Sequence, residues 1–310
     1  MSKRIVVTGV AGFIGSNLAL RLIADGYQVV GIDNLAYGVK EQIPSEVDFR
    51  NIDIREVDLA AHVRGADAIF HLAAKNCIAD CQDDPVETSD INVRGTVNVF
   101  EAARRAGIRR VIYAESSAVY EGSRIFPTPE SDVHPESFYA VSKTAAMLFA
   151  EAYARYGGLE TTALRYFNVY GPRQDYRRTI PPAMSAFIIK LLRGERPTIY
   201  GSGEKRRDFI YIDDINDFHV RCLDDARTIG NVYNLGGGVN YSIKDIYERI
   251  AAQLGSQVKP ELKPDLPGEA ESTLADISAA RGLDWEPRID LDEGLRRSIH
   301  YIKREVMQSI

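Results

Sequence analysis

Residues 4–26 read RIVVTGVAGFIGSNLALRLIADG, and the stretch TGVAGFIG at residues 8–15 decides the fold. A short β-branched run leads into Gly9, Gly12 and Gly15, and a helical stretch that opens with Phe13 and Ile14 surrounds the last of them. Gly9 permits a tight turn, Gly12 lets a pyrophosphate approach the backbone, and Gly15 lets the helix pack close to the strand. The positive end of the helix favours the same anion. A second strand, QVVGID, ends in Asp33, 18 residues after Gly15. A carboxylate there accepts hydrogen bonds from adenosine ribose hydroxyls and repels a 2′-phosphate, so the turn and the acid together read as an NAD site rather than an NADP site. A glycine turn of purely structural purpose would not need Asp33 at that distance.

Outward from this segment, short β-branched runs alternate with helical ones. After QVVGID come the strands VDFRNID and ADAIFHLA, the helix NVRGTVNVFEAARRAG and the strand RRVIYAES. The helix SFYAVSKTAAMLFAEAYARYG and one more strand, TTALRYFNVYG, complete the series. Alternation of this kind predicts an α/β fold: a doubly wound, parallel Rossmann sheet covered by helices on both faces. The pattern changes after Gly171, where Pro172, Pro181 and Pro182 intervene and a basic loop, GSGEKRRD, follows. DFIYIDDI and NVYNLGG read as strands returning to the main sheet. The expected division is a dinucleotide-binding domain of residues 1–167 and 208–236, with a smaller, discontinuous α/β substrate domain of residues 168–207 and 237–310.

The 310 residues suffice for one large α/β domain and an appendage. A net charge of −6 argues against nucleic acid or an anionic membrane as the main partner, while leaving room for an anionic small ligand held by local Arg and Lys. Cys77, Cys81 and Cys222 form no disulfide framework and no metal-ligand pattern, so they read as reduced thiols of a cytoplasmic protein. The opening MSKRIVVTGVAGFIG reads as a buried first strand rather than a signal peptide, and no apolar run reaches the roughly 18 residues of a membrane span.

Tyr139 and Lys143 stand four apart in a helical stretch and share one face. A tyrosine with an ordinary pKa of about 10 is a poor base near neutral pH, and a neighbouring ammonium lowers that pKa. Ser116 ends the strand before this helix, at the edge where such sheets carry their sites. Those three residues form the candidate catalytic set.

The Gly-x-x-Gly-x-x-Gly spacing and the Tyr139-x-x-x-Lys143 pair resemble the extended branch of the short-chain dehydrogenase/reductase superfamily. Further landmarks follow in the family's order. They are Asp53-Ile54-Arg55, HLAA at 71–74, Asn92-Val93 with Gly95-Thr96, Ser116-Ser117, RYFNVYGPRQ at 165–174, RDFIYIDD at 207–214 and a closing segment around Trp285 and Pro287. The resemblance implies NAD contacts from Gly9, Gly12, Phe13, Ile14, Gly15, Asp33, Asn34, Asp53, Ile54, Leu72, Ala73, Ala74 and Asn92, with Tyr139 and Lys143. His71 reads as structural. Either serine of the pair suits the pattern, and counting back from Val119-Tyr120 selects Ser116, leaving Ser117 to the substrate. Asn168, Tyr200 and Arg207 would hold a nucleotide sugar, with Lys205 and Arg206 either adding positive charge or forming a solvated loop.

Dehydratases and decarboxylases of this branch carry acids just before the Val-Tyr, where this chain has Ser117-Ala118. The implied activity is therefore NAD-dependent C4 epimerisation of a nucleotide-diphosphate sugar, of UDP-glucose/galactose or UDP-glucuronate type. The alternatives are a 4,6-dehydratase or 4-keto reductase of the same scaffold, and a non-catalytic NAD-sensing protein. Three positions depart from the family or tune it. Leu266 replaces a second diphosphate arginine, Glu121 stands where glycine is usual, and Thr273 is small where substituents on the sugar are screened. Arg177-Arg178 read as solvated charge or as partners for a uronate carboxylate. Helices at about 92–106 and 139–157 resemble the pair that forms a homodimer contact in this branch.

Overall fold

The computed structural model describes residues 2–177, 181–265 and 270–308. β1 (Arg4–Thr8), β2 (Gln28–Asp33), β3 (Asp48–Asn51), β4 (Ala68–His71), β5 (Arg110–Ser116) and β6 (Glu160–Tyr166) pair in parallel. β7 (Asn168–Tyr170), β8 (Thr198–Tyr200) and β9 (Arg206–Tyr211) follow, and β10 (Val232–Leu235) comes back beside β6. The seven-stranded order is β10-β6-β5-β4-β1-β2-β3. The winding direction reverses between β1 and β4, the point at which doubly wound sheets bind ligands outside the carboxyl ends of their strands.

α1 (Phe13–Ala24) joins β1 to β2, and α2 (Leu59–Val63) precedes β4. Between β4 and β5 run α3 (Ile78–Asp83), α4 (Pro85–Ser89), a π-helical turn at Asp90–Gly95 and α5 (Thr96–Ala106). α6 (Phe138–Tyr156) joins β5 to β6. The boundaries have local causes. Asp84 accepts a hydrogen bond from the Glu87 N–H ahead of Pro85, Ser137 caps α6 by accepting from the Ala140 N–H, and Gly107 closes α5 at φ +75°. Val6, Ile32, Ile69, Phe100 and Val111 form the centre of the core, where Phe100 meets Tyr113 edge-on at 5.6 Å between ring centroids. Each such large side chain, fully buried, contributes about 1.5–3 kcal/mol.

Two compact units result. The first comprises Met1–Ile125, Glu130–Tyr166 and Asn216–Asn234, and the second Phe126–Pro129, Phe167–Ile215 and Leu235–Ile310. In the second, β11 (Asn240–Ser242) completes a three-stranded sheet of order β11-β9-β7, and β12 (Glu261–Lys263) pairs in parallel with β8. Two expectations change here. TTALRYFNVYG divides at Phe167, whose N–H bonds to the Leu235 carbonyl, and its last residues pair with β9 instead of continuing β6. DFIYIDDI does not return to the main sheet. β9 stops at Tyr211 and a helix, α7 of the second unit (Ala183–Leu192) having preceded it, begins at Ile212 as α8 (Ile212–Asp224), with Asp213 and Asp214 in a first turn whose dipole favours acids. Asp214 also fixes the closing segment. Its carboxylate accepts the N–H groups of Arg288 and Ile289 at 2.9 and 3.2 Å, and its carbonyl accepts the Trp285 indole at 3.2 Å.

Candidate active site

Gly9 lies at φ +72°, and a Cβ there would stand 2.8 Å from the Ala73 amide nitrogen. A Cβ on Gly15 would stand 2.1 Å from the Gly9 carbonyl oxygen. Both contacts are to backbone, which cannot step aside, so the turn demands glycine at these positions. Gly12 caps α1 without a side-chain hydrogen bond, and Phe13 and Ile14, half-buried, open the helix. Asp33 braces the turn from the neighbouring strand. One carboxylate oxygen accepts the Ala11 N–H at 3.0 Å and the other accepts the Leu35 N–H at 2.8 Å. Burial pushes this carboxyl up, and the two N–H groups oppose that shift. Each oxygen keeps acceptor capacity for a ribose hydroxyl.

Asn34 donates to Asp53 at 2.8 Å, and Arg55 grips the same carboxylate at 2.7 Å. The hydrogen bonds from Arg55 hold Asp53 well below the usual carboxylate range. Ile54 is buried beside Gly95, where a Cβ would come within 2.6 Å of its Cδ1. A cradle that a Cβ would fill, a helix start without a side-chain cap and a strand-end carboxylate fit NAD.

Beyond β4 a chain of hydrogen bonds sets the segment Leu72, Ala73 and Ala74, all half-buried. Thr8 Oγ1 accepts the N–H groups of Leu72 and Ala73 and meets His71 Nδ1 at 2.8 Å. His71 Nε2 meets Thr96 Oγ1 at 2.9 Å, and that hydroxyl donates to the Asn92 carbonyl. With its proton spent there, Thr96 must accept, so His71 carries its proton on Nε2. Burial, with the nearby Lys143 charge, pushes His71 down to about 3, so the ring is neutral. Asn92 is buried too: its Oδ1 accepts the Lys75 N–H at 2.8 Å, and its Nδ2 donates to the Lys75 carbonyl and to Ser142 Oγ. Its amide thus clamps the chain just after Ala74 to the residue beside Lys143.

α6 presents Tyr139 and Lys143, both buried, with the ammonium 5.9 Å from the phenol ring centroid. Lys143 Nζ donates to the Ala114 carbonyl at 3.0 Å, which ties the helix to β5 two residues before Ser116. Burial lowers Lys143 to about 8, and the Glu115 carboxylate opposes this. Ser116 ends β5 in extended conformation and accepts the Ala118 N–H at 3.2 Å, opening a short 3-10 turn in which Ser117 is half-buried. Beside this turn lies a buried ion pair. Glu115 and Arg165, at 0% and 1% side-chain exposure, meet at 2.5 Å. Arg165 also donates to the Tyr120 hydroxyl at 2.7 Å and to the Glu130 carbonyl. A charged residue inside the apolar run of β6 was the signal for Arg165.

In the second unit Asn168 and Arg207 stand on adjacent strands, with Asn168 opposite Phe209 in the β7–β9 register. Asn168 Nδ2 donates to the Asp208 carbonyl and to Thr273 Oγ1, and the same hydroxyl accepts the Asp208 N–H at 3.1 Å. Arg207 Nη1 donates to the Arg206 carbonyl. Asp208 is fully buried. It is pushed up to about 6 by burial, against N–H groups of Ala275, Gly237 and Gly238 that favour its charge. Tyr200 stands on the separate β8–β12 sheet. Lys205 pairs with Asp265 at 2.9 Å and Arg206 binds Asn240, so neither is a merely solvated charge. Arg177 pairs with Asp175. Arg178 and the Leu266 segment lie outside the described residues.

A doubly wound sheet with a glycine turn, a strand-end Asp, a half-buried Ser116 and the buried pair Tyr139 and Lys143 defines a nicotinamide-dinucleotide oxidoreductase scaffold. The sequence profile of the NAD dependent epimerase/dehydratase family matches residues 5–236, and the chain belongs to that family. It is an NAD-dependent enzyme of the sugar-nucleotide epimerase class. Among its relatives, the UDP-glucose 4-epimerase of Mycolicibacterium smegmatis is 36% identical over 312 residues, covering 97% of this chain and 99% of that one. The UDP-glucuronate 4-epimerase of Thermodesulfobacterium geofontis is 35% identical over 322 residues, covering 97% and 96%. The crystal structure of UDP-glucose 4-epimerase from Thermotoga maritima with UDP-glucose superimposes with a TM-score of 0.94 at 31% identity, covering 97% of this chain and 99% of that one.

Proposed function

We propose that this enzyme interconverts the C4 epimers of a UDP-sugar, of the glucose/galactose or glucuronate type. One observation carries the choice of epimerisation over dehydration. The acids around Ser116 are already engaged, since Glu115 is buried against Arg165 and Glu121 accepts hydrogen bonds from Ser137, while Ser117 and Ala118 occupy the places before Val119-Tyr120. Elimination of water needs a further free acid or base at the sugar, beside the group that moves the C4 hydroxyl proton, and simple epimerisation does not.

The first unit would bind NAD through Gly9, Gly12, Phe13, Ile14 and Gly15, Asp33 and Asn34, Asp53 and Ile54, and the Leu72–Ala74 segment clamped by Asn92. Bound NAD supplies the acceptor, and then the donor, of the hydride at sugar C4. Tyr139, as phenolate, takes the proton of the C4 hydroxyl and later gives it back to the opposite epimer's oxygen. Lys143, held over the ring, stabilises the phenolate and lowers the pKa that catalysis requires. Ser116 donates a hydrogen bond to the reacting oxygen, and Ser117 contacts the substrate. Asn168 and Arg207 of the second unit serve the diphosphate, and Tyr200 packs near the base. Arginine suits it because its planar fork makes paired charge-assisted bonds.

The same reading includes a homodimer through α6, whose Phe138, Val141, Leu148, Phe149 and Tyr156 are exposed at helical spacing, and a reducing compartment, the cytoplasm, for its three free thiols. Among the described residues no helix is long and apolar enough to cross a membrane. Proton NMR of the purified protein with UDP-glucose, UDP-galactose, UDP-glucuronate and their N-acetyl relatives tests the proposal. A new anomeric signal from a C4 epimer, without net nicotinamide reduction, is the expected result. Reaction only with a GDP-, dTDP- or CDP-sugar would refute the UDP assignment, and a dehydrated product would refute epimerisation.

A further inference from the structure

The usual glycine after Val-Tyr is Glu121 in this chain, and its carboxylate reaches 16 residues ahead to the start of the helix that carries Tyr139. One oxygen accepts the Ser137 N–H at 2.7 Å and the Glu136 N–H at 3.2 Å, and the other accepts the Ser137 hydroxyl at 2.9 Å. Ser137 is the cap of α6, and the hydroxyl that donates to Glu121 accepts the Ala140 N–H at 3.1 Å. A two-bond relay therefore runs from Glu121 into the first turn of α6, where Tyr139 lies two residues beyond the cap. At its other end Glu121 directly follows the 3-10 turn that Ser116 opens. The flanking loop is zipped to that turn as well, by Gly122 N–H to the His134 carbonyl and His134 N–H to the Val119 carbonyl. On the opposite side Gln82 of α3 accepts the Phe138 N–H at 3.0 Å. The start of α6 is thus held from two directions, and Glu121 is the strut on the Ser116 side.

We infer that Glu121 is a positioning residue, a carboxylate strut that fixes the Tyr139 phenol relative to the Ser116 hydroxyl for the proton transfer at the sugar oxygen. It accepts from three donors and touches the reacting groups only through Ser137 and the turn. It takes over, through a side chain, an alignment for which glycine at this position has no atoms. The inference rests on the epimerase reading given above. Proton transfer tolerates little misplacement, and an error of about 1 Å costs on the order of 100-fold in rate.

The test is a steady-state comparison of wild type, Glu121→Ala and Glu121→Gln as NAD-loaded protein, with bound NAD and melting temperature measured for each. Glu121→Ala is expected to lower kcat about tenfold or more, with KM for the sugar nucleotide and bound NAD within about twofold of wild type. Glu121→Gln, which keeps an acceptor oxygen, is expected to recover most of that loss with the pH profile of kcat unmoved. A Glu121→Ala enzyme with wild-type kcat overturns the inference alone. So does a loss confined to active fraction and melting temperature, which marks a merely structural strut. So does a Glu121→Gln enzyme as inactive as the alanine variant with one limb of its pH profile missing, which would make Glu121 itself an acid or base. Wild type inert toward every sugar nucleotide overturns the epimerase reading and this inference with it.

Discussion

The most consequential side chain is Lys143, a buried ammonium beside a proposed phenolate. Its folded pKa of about 8 lies below the ordinary 10.5, so between those values the unfolded chain binds the proton that the folded chain releases. Stability therefore rises with pH across that window, relative to a variant lacking the group. Comparing wild type with Lys143→Met by denaturant unfolding from pH 7.5 to 10.5 should show wild type gaining on the order of 3 kcal/mol. A flat difference would mean that the ammonium is not desolvated. Tyr139→Phe should lower kcat by about 100-fold or more while bound NAD persists, read by turnover and by the nicotinamide content of the purified protein. Single residues were unevenly legible in the sequence. The glycine turn and Asp33 could be read because their spacing alone encodes a strand, a turn and a ribose partner. Glu121 could be noticed as out of place but not understood, since its partner is Ser137, which only the path of the loop brings near. Arg165 and Glu115 belong to different strands, and no local pattern joins them.

Elements show the same division between local and long-range causes. Helices α1, α5 and α6 and the parallel strands follow from patterns that neighbours in sequence decide. The strand that was expected over TTALRYFNVYG divides at Phe167 because the β5 ladder ends at Ser116 opposite Tyr166, and Asn168–Tyr170 pair instead with β9, about 40 positions on. α8 starts at Ile212 in place of a longer strand because two aspartates in its first turn suit a helix start. Buried imidazoles make a prediction about these elements. His219 of α8 packs edge-on against Phe70 of β4 at 5.4 Å and bonds the Tyr166 hydroxyl of β6 at 2.6 Å. Burial holds both His219 and His71 down at about 3, so the unfolded chain takes up protons that the folded chain refuses as pH falls below the ordinary 6.5. Melting temperature should decline across that acid range, and the decline should be shallower in His219→Asn. An unchanged slope would show that the ring titrates normally in the fold. At the turn, Gly15→Ala must push a methyl group into the Gly9 carbonyl. It should displace α1 and abolish NAD retention, measured by the absorbance of cofactor released on denaturation.

For the whole molecule, the sequence carried the family, the cofactor and the parallel Rossmann-type main sheet, because motifs and alternation extend along nearly all of the chain. It did not place residues 208–215, which lie in the second unit while 216–234 lie in the first. That outcome depends on which strands β9 finds, β7 and β11, and on the knot formed by Asp208 with the N–H groups of Gly237, Gly238 and Ala275. Asp208→Asn sets an amide N–H₂ against one of those donors, and it should destabilise the protein by about 2 kcal/mol in denaturant unfolding. The exposed apolar stripe of α6 predicts twice the monomer mass in light scattering, and a charge introduced by Leu148→Asp should shift the protein toward monomer. The central claim is that the hydrogen removed from C4 goes back to C4. It is tested most directly with a UDP-sugar carrying deuterium at C4, followed by NMR and mass spectrometry as the epimers equilibrate. The account predicts that the deuterium stays at C4 in both epimers, with none lost to water. Deuterium that leaves C4, whether for C6 in a product that has lost water or for the solvent, would contradict it.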